Sequence, residues 1–255
     1  FKQVYVSHLD GSEKLQVTQD PTIHLFPSWT RDGQSILYTT YGYRDRGPGI
    51  YQFHLFSGKQ NRIFSSRGLH SGGKWSPDGN YIAVTLEREG NTDIYLLDRQ
   101  GKADRLTHGG GINVSPAWSP DGKQLVFVSN RSGSPQLYLL DLSTRKPRRL
   151  TYSGSYNTSP DWSPKGDRIA YTGRVGGRFN ILSISAQGGE PQMLTSNAGD
   201  NEDPSWSPDG RYILFTSNRK GRYQIHMMQA SGENQQRLTA SGGDDTNPAW
   251  SPRIE

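Results

Sequence analysis

Short apolar runs recur along the chain, each bounded by polar turn residues. Ser35–Tyr41, Tyr81–Leu86, Gln124–Ser129, Arg168–Thr172 and Tyr212–Ser217 carry apolar side chains at period two or without a break. That is the pattern of strands buried on one or both faces. Across a polar loop, with Arg88, Arg131, Arg174 or Arg219 near its start, follow Ile50–Leu55, Asp93–Asp98, Gln136–Asp141, Asn180–Ser185 and Gln224–Gln229. A further strand is predicted to end in Val17-Thr18, Ile63-Phe64, Leu106-Thr107, Leu150-Thr151, Leu194-Thr195 and Leu238-Thr239. No segment shows a helical apolar period.

These runs are phased by a phrase spoken six times. Trp75-Ser76-Pro77-Asp78-Gly79, Trp118-Ser119-Pro120-Asp121-Gly122 and Trp206-Ser207-Pro208-Asp209-Gly210 agree residue for residue. Trp162-Ser163-Pro164-Lys165-Gly166 and Trp29-Thr30-Arg31-Asp32-Gly33 are near copies, and Trp250-Ser251-Pro252-Arg253 is the last. The Trp residues are 46, 43, 44, 44 and 44 residues apart, and the second residue of every Leu-Thr-type pair lies eleven before the next Trp. Pro presets φ at the second position of a turn and Gly is favoured at the fourth, so the phrase reads as a strand, a tight turn and a new strand. Four strands per period of this length predict β-propeller blades. Each Trp is expected to be buried between blades, in a structural role.

The expected fold is therefore all-β: a six-bladed propeller of four-stranded antiparallel blades, one domain over residues 1–255. Gln3–Leu9 and Lys14–Thr18 predict the outer strands of a sixth blade. The phrase at Trp250 would supply its inner strand, so that the two ends of the chain close the ring. The second strand of that blade is expected just upstream of Phe1. The extra length between the first two Trp falls in Tyr41–Gly49, read as a surface insertion.

Composition narrows the function. Hydrophobic residues make up 31% and the mean hydropathy is −0.79, but aromatics at 11%, placed in register, supply a core. The net charge is +5 and the pI about 9.3, with Lys and Arg scattered rather than clustered, so the charge reads as a solvated surface and not a nucleic-acid footprint. With no Cys there is no disulfide or thiol chemistry. No run is long enough to cross a membrane as a helix. The chain begins at Phe1 and is expected to be part of something longer.

In a propeller, loops leading into the inner strands surround the channel mouth. Five residues before each Trp stand His24, His70, Asn113, Asn157, Asn201 and Asp245, all polar. Beside them lie Ser71, Thr158, Glu202, Asp203, Asp244 and Thr246, with the acidic ones in the last repeats. Such a rim suits a protein segment, or a hard cation held by carboxylates; turn chemistry favours the same residue types. His24 and His70 occupy equivalent places but would need two further ligands for a metal. There is no His-Glu-x-x-His, nucleophile elbow, P-loop or dinucleotide fingerprint, and no signature of a glycosidase carboxylate pair.

Tandem Trp-Ser-Pro-Asp-Gly repeats with a Leu-Thr four-strand unit resemble the propellers of the TolB family over the whole chain. The likeness extends to the C-terminal Asn247-Pro248-Ala249-Trp250-Ser251-Pro252. It implies a non-enzymatic, monomeric, periplasmic protein of the Tol-Pal system that acts in outer-membrane integrity and constriction. It implies no cofactor, apart from calcium that can occupy the channel. The family's N-terminal α/β domain is absent from this chain. The implied partners are the peptidoglycan-associated lipoprotein Pal over the channel mouth, TolA through the absent N-terminal segment, and colicins. By repeat position the Pal-facing residues are His70, Ser71 and Gly72, then Asn113 and Val114, Asn157 and Thr158, and Asn201, Glu202 and Asp203. Gly72-Gly73-Lys74 departs from the usual small-Pro-small lead into that strand.

Two alternatives stand beside this reading. One is a propeller accessory domain of a tricorn- or prolyl-peptidase-like enzyme. The other is a polysaccharide-degrading propeller with a metal at His24 and His70.

Overall fold

The computed structural model describes residues 1–42, 48–66, 68, 70–109, 111–196 and 198–252, with the main chain alone at His70 and Ser71. The insertion expected at Tyr41–Gly49 lies mostly outside the described residues. Among the described residues all regular elements are strands.

The chain divides into two compact units, Phe1–Pro116 with Ser251–Glu255, and Ala117–Trp250. In the first, β1 (Tyr5–Val6) pairs with β2 (Leu15–Gln16) as a two-stranded sheet. The first four-stranded sheet holds β3 (Ile23–Trp29), β4 (Ser35–Tyr41), β5 (Gly49–His54) and β6 (Gln60–Ser65) in sequence order. The second holds β7 (His70–Trp75), β8 (Tyr81–Arg88), β9 (Asn91–Asp98) and β10 (Ala103–Arg105). The unit boundary falls within β11 (Asn113–Trp118), which opens the third sheet with β12 (Gln124–Ser129), β13 (Gln136–Asp141) and β14 (Pro147–Arg149). The second unit goes on with β15 (Asn157–Trp162), β16 (Arg168–Val175), β17 (Arg178–Ser185) and β18 (Gln192–Met193). Its last sheet is β19 (Asn201–Trp206), β20 (Tyr212–Lys220), β21 (Arg222–Gln229) and β22 (Gln236–Arg237).

Blades of four antiparallel strands are thus as expected, and β4, β12 and β13 keep the residues read from the apolar pattern. The count is corrected. Five four-stranded sheets form among the described residues, not six. The phrase at Trp250 enters no described strand. In each of the other five copies the Trp strand pairs with the apolar strand after its turn.

A second correction concerns the fourth strands. Five of them, β2, β10, β14, β18 and β22, stop before the Val-Thr or Leu-Thr pair expected to end them. The pair still completes the ladder in another way. Leu150 N–H donates to Leu137 O at 2.8 Å, but the return bond from Leu137 N–H goes to the Thr151 hydroxyl at 2.9 Å. The same exchange occurs at Val4 with Thr18, Ile94 with Thr107, Ile181 with Thr195 and Ile225 with Thr239. Where the copy reads Ile63-Phe64 there is no hydroxyl, and β6 runs on to Ser65.

The core lies between sheets. In the first unit Leu37 and Ile50 pack with Ile82, Val84, Leu86 and Leu97, and Trp75 sits against them. Val4 and Val17 of the hairpin pack on Ile36 and Tyr38, beside Trp29. In the second unit Trp206 joins Ala170 and Ile181 of one sheet, and Leu194 just beyond its last strand, to Ile213, Phe215 and Met228 of the next. Each such side chain contributes about 1.5–3 kcal/mol by leaving water. Trp162 and Trp206 are buried, but Trp29, Trp75, Trp118 and Trp250 are only partly so.

The turn of the phrase is built as its residues dictate. Gly122 N–H donates to Ser119 O at 2.9 Å, with Gly122 at φ +71°, where a Cβ would be strained. Asp121 accepts from the Ser119 hydroxyl at 2.7 Å and from Lys123 N–H at 3.1 Å. Asp78 and Asp209 repeat these contacts. In the Lys165 copy the carboxylate is supplied from two places on, by Asp167, to Ser163. Hydrogen bonds from the Ser hydroxyls hold Asp78, Asp121 and Asp209 below the ordinary carboxylate value of 3.8. The stability they contribute is therefore present above pH 3.8 and is lost as pH falls below it. D78N/D121N/D209N keeps the acceptors but cannot titrate. Its urea midpoint will fall less steeply than that of the wild type as the pH is lowered below the ordinary carboxylate range.

Candidate functional site

Loops leading into the inner strands are fixed from within. In the second unit the Thr151 hydroxyl, having accepted from Leu137, donates to Gln136 Oε1 at 2.8 Å. Asn157 Nδ2 donates to the same oxygen at 2.9 Å and to Ser153 O at 2.9 Å, and Gln136 Nε2 donates to Gly154 O at 3.0 Å. One buried amide pair thus pins a whole loop. In the first unit Thr107 and Asn113 both donate to Asp93, at 2.6 and 2.8 Å, and Arg105 closes the cluster as an ion pair with Asp93. In the last repeat Gln224 takes the hydroxyl of Thr239 and donates to Gly243 O at 2.8 Å. Asn201 accepts from Arg219 at 2.7 Å and faces the carbonyls of Ala198 and Gly199. His24 holds Thr40 through Nδ1 at 3.0 Å, and Thr22 and Asp20 through Nε2 at 2.8 Å.

The residues five before each Trp are therefore not a free rim. His24, Asn113, Asn157 and Asn201 are at most 2% exposed and are spent on their own loops. Asp245 is partly exposed, and its Oδ2 is buried with no hydrogen-bond partner among the described residues. The side chains of His70 and Ser71 lie outside the description. Surface is offered instead by the next two positions, where Gly72, Val114, Thr158, Glu202, Asp203 and Thr246 are partly exposed, and by exposed Asp244.

Three residues before every Trp the backbone turns left-handed: Phe26 (φ +56°), Gly72 (+58°), Ser115 (+55°), Ser159 (+48°), Asp203 (+52°) and Asn247 (+55°). Non-glycine residues there cost about 1–2 kcal/mol each. Register shifts at these places break the pairing of β3, β7, β15 and β19 with their neighbours, so each is a bulge that turns side chains out of the sheet. The conformation is held across sheets. In the second unit Asp203 N–H donates to the Thr172 hydroxyl at 3.0 Å. The Asp203 carboxylate accepts from Ser159 at 2.9 Å and Asn247 at 3.0 Å, tying three consecutive copies together. In the first unit Ser115 N–H donates to the Thr85 hydroxyl at 3.3 Å.

The second unit's face is acidic. Glu202 accepts from the Tyr223 hydroxyl at 3.1 Å; burial, with Asp203 and Asp200 nearby, pushes its carboxyl upward. Burial and Glu202 push Tyr223 up to about 12. Asp200 accepts from Phe179 N–H at 3.0 Å, and Asp244 from Tyr223 N–H at 3.1 Å. Among the described residues no three His, Asp or Glu are placed to hold a metal ion. Both ring nitrogens of His24 are hydrogen-bonded, to Thr40 through Nδ1 and to Thr22 and Asp20 through Nε2.

The family described as the TolB beta propeller domain matches residues 2–254. The chain belongs to this TolB propeller family. It is 42% identical over 100 residues to the Tol-Pal system protein TolB of Desulfosudis oleivorans, across 39% of this chain and 22% of that protein. To the TolB of Alcanivorax borkumensis it is 33% identical over 89 residues, 34% of this chain and 20% of that one. The matched segments thus span about a fifth of these relatives. The crystal structure of TolB from Acinetobacter baumannii superposes with a TM-score of 0.90 at 30% identity, over 98% of this chain and 63% of that chain. A puromycin-hydrolysing peptidase of Mycobacterium tuberculosis, at 16% identity and TM-score 0.63, shares the fold alone. No helix among the described residues is long and apolar enough to cross a membrane.

Reading the TolB-family repeat by sequence missed Asp93, Gln136 and Gln224, which hold the lead-in loops, and the left-handed position before each Trp. Both leave traces. The amide or carboxylate stands 14 or 15 residues before the Leu-Thr threonine, and one of the six left-handed positions is a glycine. Thr151→Val keeps the shape but orphans Leu137 N–H. It should lower the urea-unfolding free energy by about 1–3 kcal/mol.

Proposed function

We propose that this chain is a non-enzymatic interaction module of the Tol-Pal envelope system, working in the periplasm and docking Pal on the loops that lead into its inner strands. Through that contact it helps link the outer membrane to peptidoglycan during constriction. The observation that carries the reading is the construction of those loops: buried amides fix them, and left-handed bulges present the next residues outward. The names of its relatives point to the same system. In the second unit the partner-facing residues are Thr158, Glu202, Asp203, Asp244 and Thr246; in the first they are Gly72 and Val114, with His70 and Ser71 by repeat position. A rigid face of charged and small residues suits a folded protein, and its acidity favours a basic patch on that partner.

Titration calorimetry of the folded chain with the soluble domain of Pal tests this. Saturable one-to-one binding is expected. Glu202→Lys with Asp244→Lys should weaken it on the order of 10–100-fold while the melting temperature stays close to that of the wild type. Absence of binding, or equal loss of binding and stability, would overturn the assignment.

A further inference from the structure

One lead-in loop differs from the rest. Tyr152-Ser153-Gly154-Ser155-Tyr156 is exposed along its whole length, with Tyr152 at 74% and Tyr156 at 40%. The corresponding stretches His108–Ile112, Ser196–Asp200 and Ala240–Asp244 carry no aromatic residue. Exposed rings on a loop are normally mobile, but here the loop is fixed from below. Asn157 Nδ2 donates to Ser153 O and Gln136 Nε2 to Gly154 O. Gly154 sits at φ +77°, a conformation that strains any residue with a Cβ. Each ring also has a support. Tyr156 meets Phe179 edge-on with centroids 5.7 Å apart, and the Arg149 guanidinium lies 4.8 Å from the centre of Tyr152.

This platform is continuous with the acidic face. Phe179, under Tyr156, donates its N–H to Asp200; Tyr223 donates its hydroxyl to Glu202 and its N–H to Asp244. The sign of the charge changes along that line. Residues 151–158 contain no carboxylate, and exposed Arg174 and Arg178 close the adjoining hairpin between β16 and β17. Tyr, Ser and Gly on a fixed loop make a surface with large contact area and little ordering cost.

We infer that Tyr152 and Tyr156 are the energetic anchor of the docking face, taking an apolar segment of a protein partner that carries a carboxylate beside it. The inference rests on the Pal-docking reading and adds what that reading lacks: an apolar centre, and a polarity that fixes the partner's orientation, acid over the tyrosines and base over Glu202 and Asp244. A neutral glycan would stack on the rings but would have no use for the charged remainder of the face.

The test is titration of the soluble Pal domain into wild type, Y152A/Y156A and Y152F/Y156F. Ring removal should weaken binding on the order of 100-fold, mainly through faster dissociation, without moving the melting temperature of so exposed a loop. The phenylalanine pair should restore affinity to within about threefold, since the rings and not the hydroxyls carry the contact area. Wild-type binding that survives Y152A/Y156A overturns the anchor and leaves the docking reading standing. A folded wild type that does not bind overturns both. Ring-dependent binding of soluble peptidoglycan fragments in place of the Pal domain overturns the choice of a protein partner.

Discussion

A single threonine hydroxyl decides what each repeat does at its end. It accepts the third-strand N–H that a ladder carbonyl would otherwise take, and the outer strand is free to leave the sheet. Its own proton goes to an amide or carboxylate on that third strand. Asp93, Gln136 and Gln224 among these groups also hold the loop leading to the next inner strand, whereas Asn180 donates to Arg178 O. Buried polar groups without partners cost about 1–3 kcal/mol each, so the hydroxyl, the amide and the loop stand or fall together. The repeat with Phe64 in place of the threonine shows the converse, for there the ladder continues.

The face described above follows from this arrangement. Because His24, Asn113, Asn157 and Asn201 are spent inside, the surface is left to their neighbours, next to the left-handed bulge. Loops on such a support can vary in chemistry without varying in position. One carries two tyrosines, the next a glutamate and aspartates, while the scaffold beneath them repeats.

Strand pattern, blade construction and family were legible in the sequence because each is written many times over. The apolar second strands announced themselves since both their faces are buried, as at Leu125–Val128. Burial of the polar rim was not legible: Asn at a loop start reads equally as a turn residue, a ligand or a buried cap, and only the position of Gln136 or Asp93 beneath it decides. The sixth blade was over-read: five four-stranded sheets form among the described residues, and the phrase at Trp250 enters no strand there. The tyrosines went unnoticed because exposed aromatics have no period to betray them; it takes the Ser153 and Gly154 carbonyls, held from below, to tell a platform from a floppy loop.

The most direct measurement of the central claim is amide hydrogen exchange on the chain alone and in complex with the soluble Pal domain. The account predicts that exchange slows at 152–158, 200–203 and 244–246, the loops that the buried amides hold. Protection confined to the Ser-Pro-Asp-Gly turns or to the outer strands, with those loops exchanging as in the free chain, would contradict it.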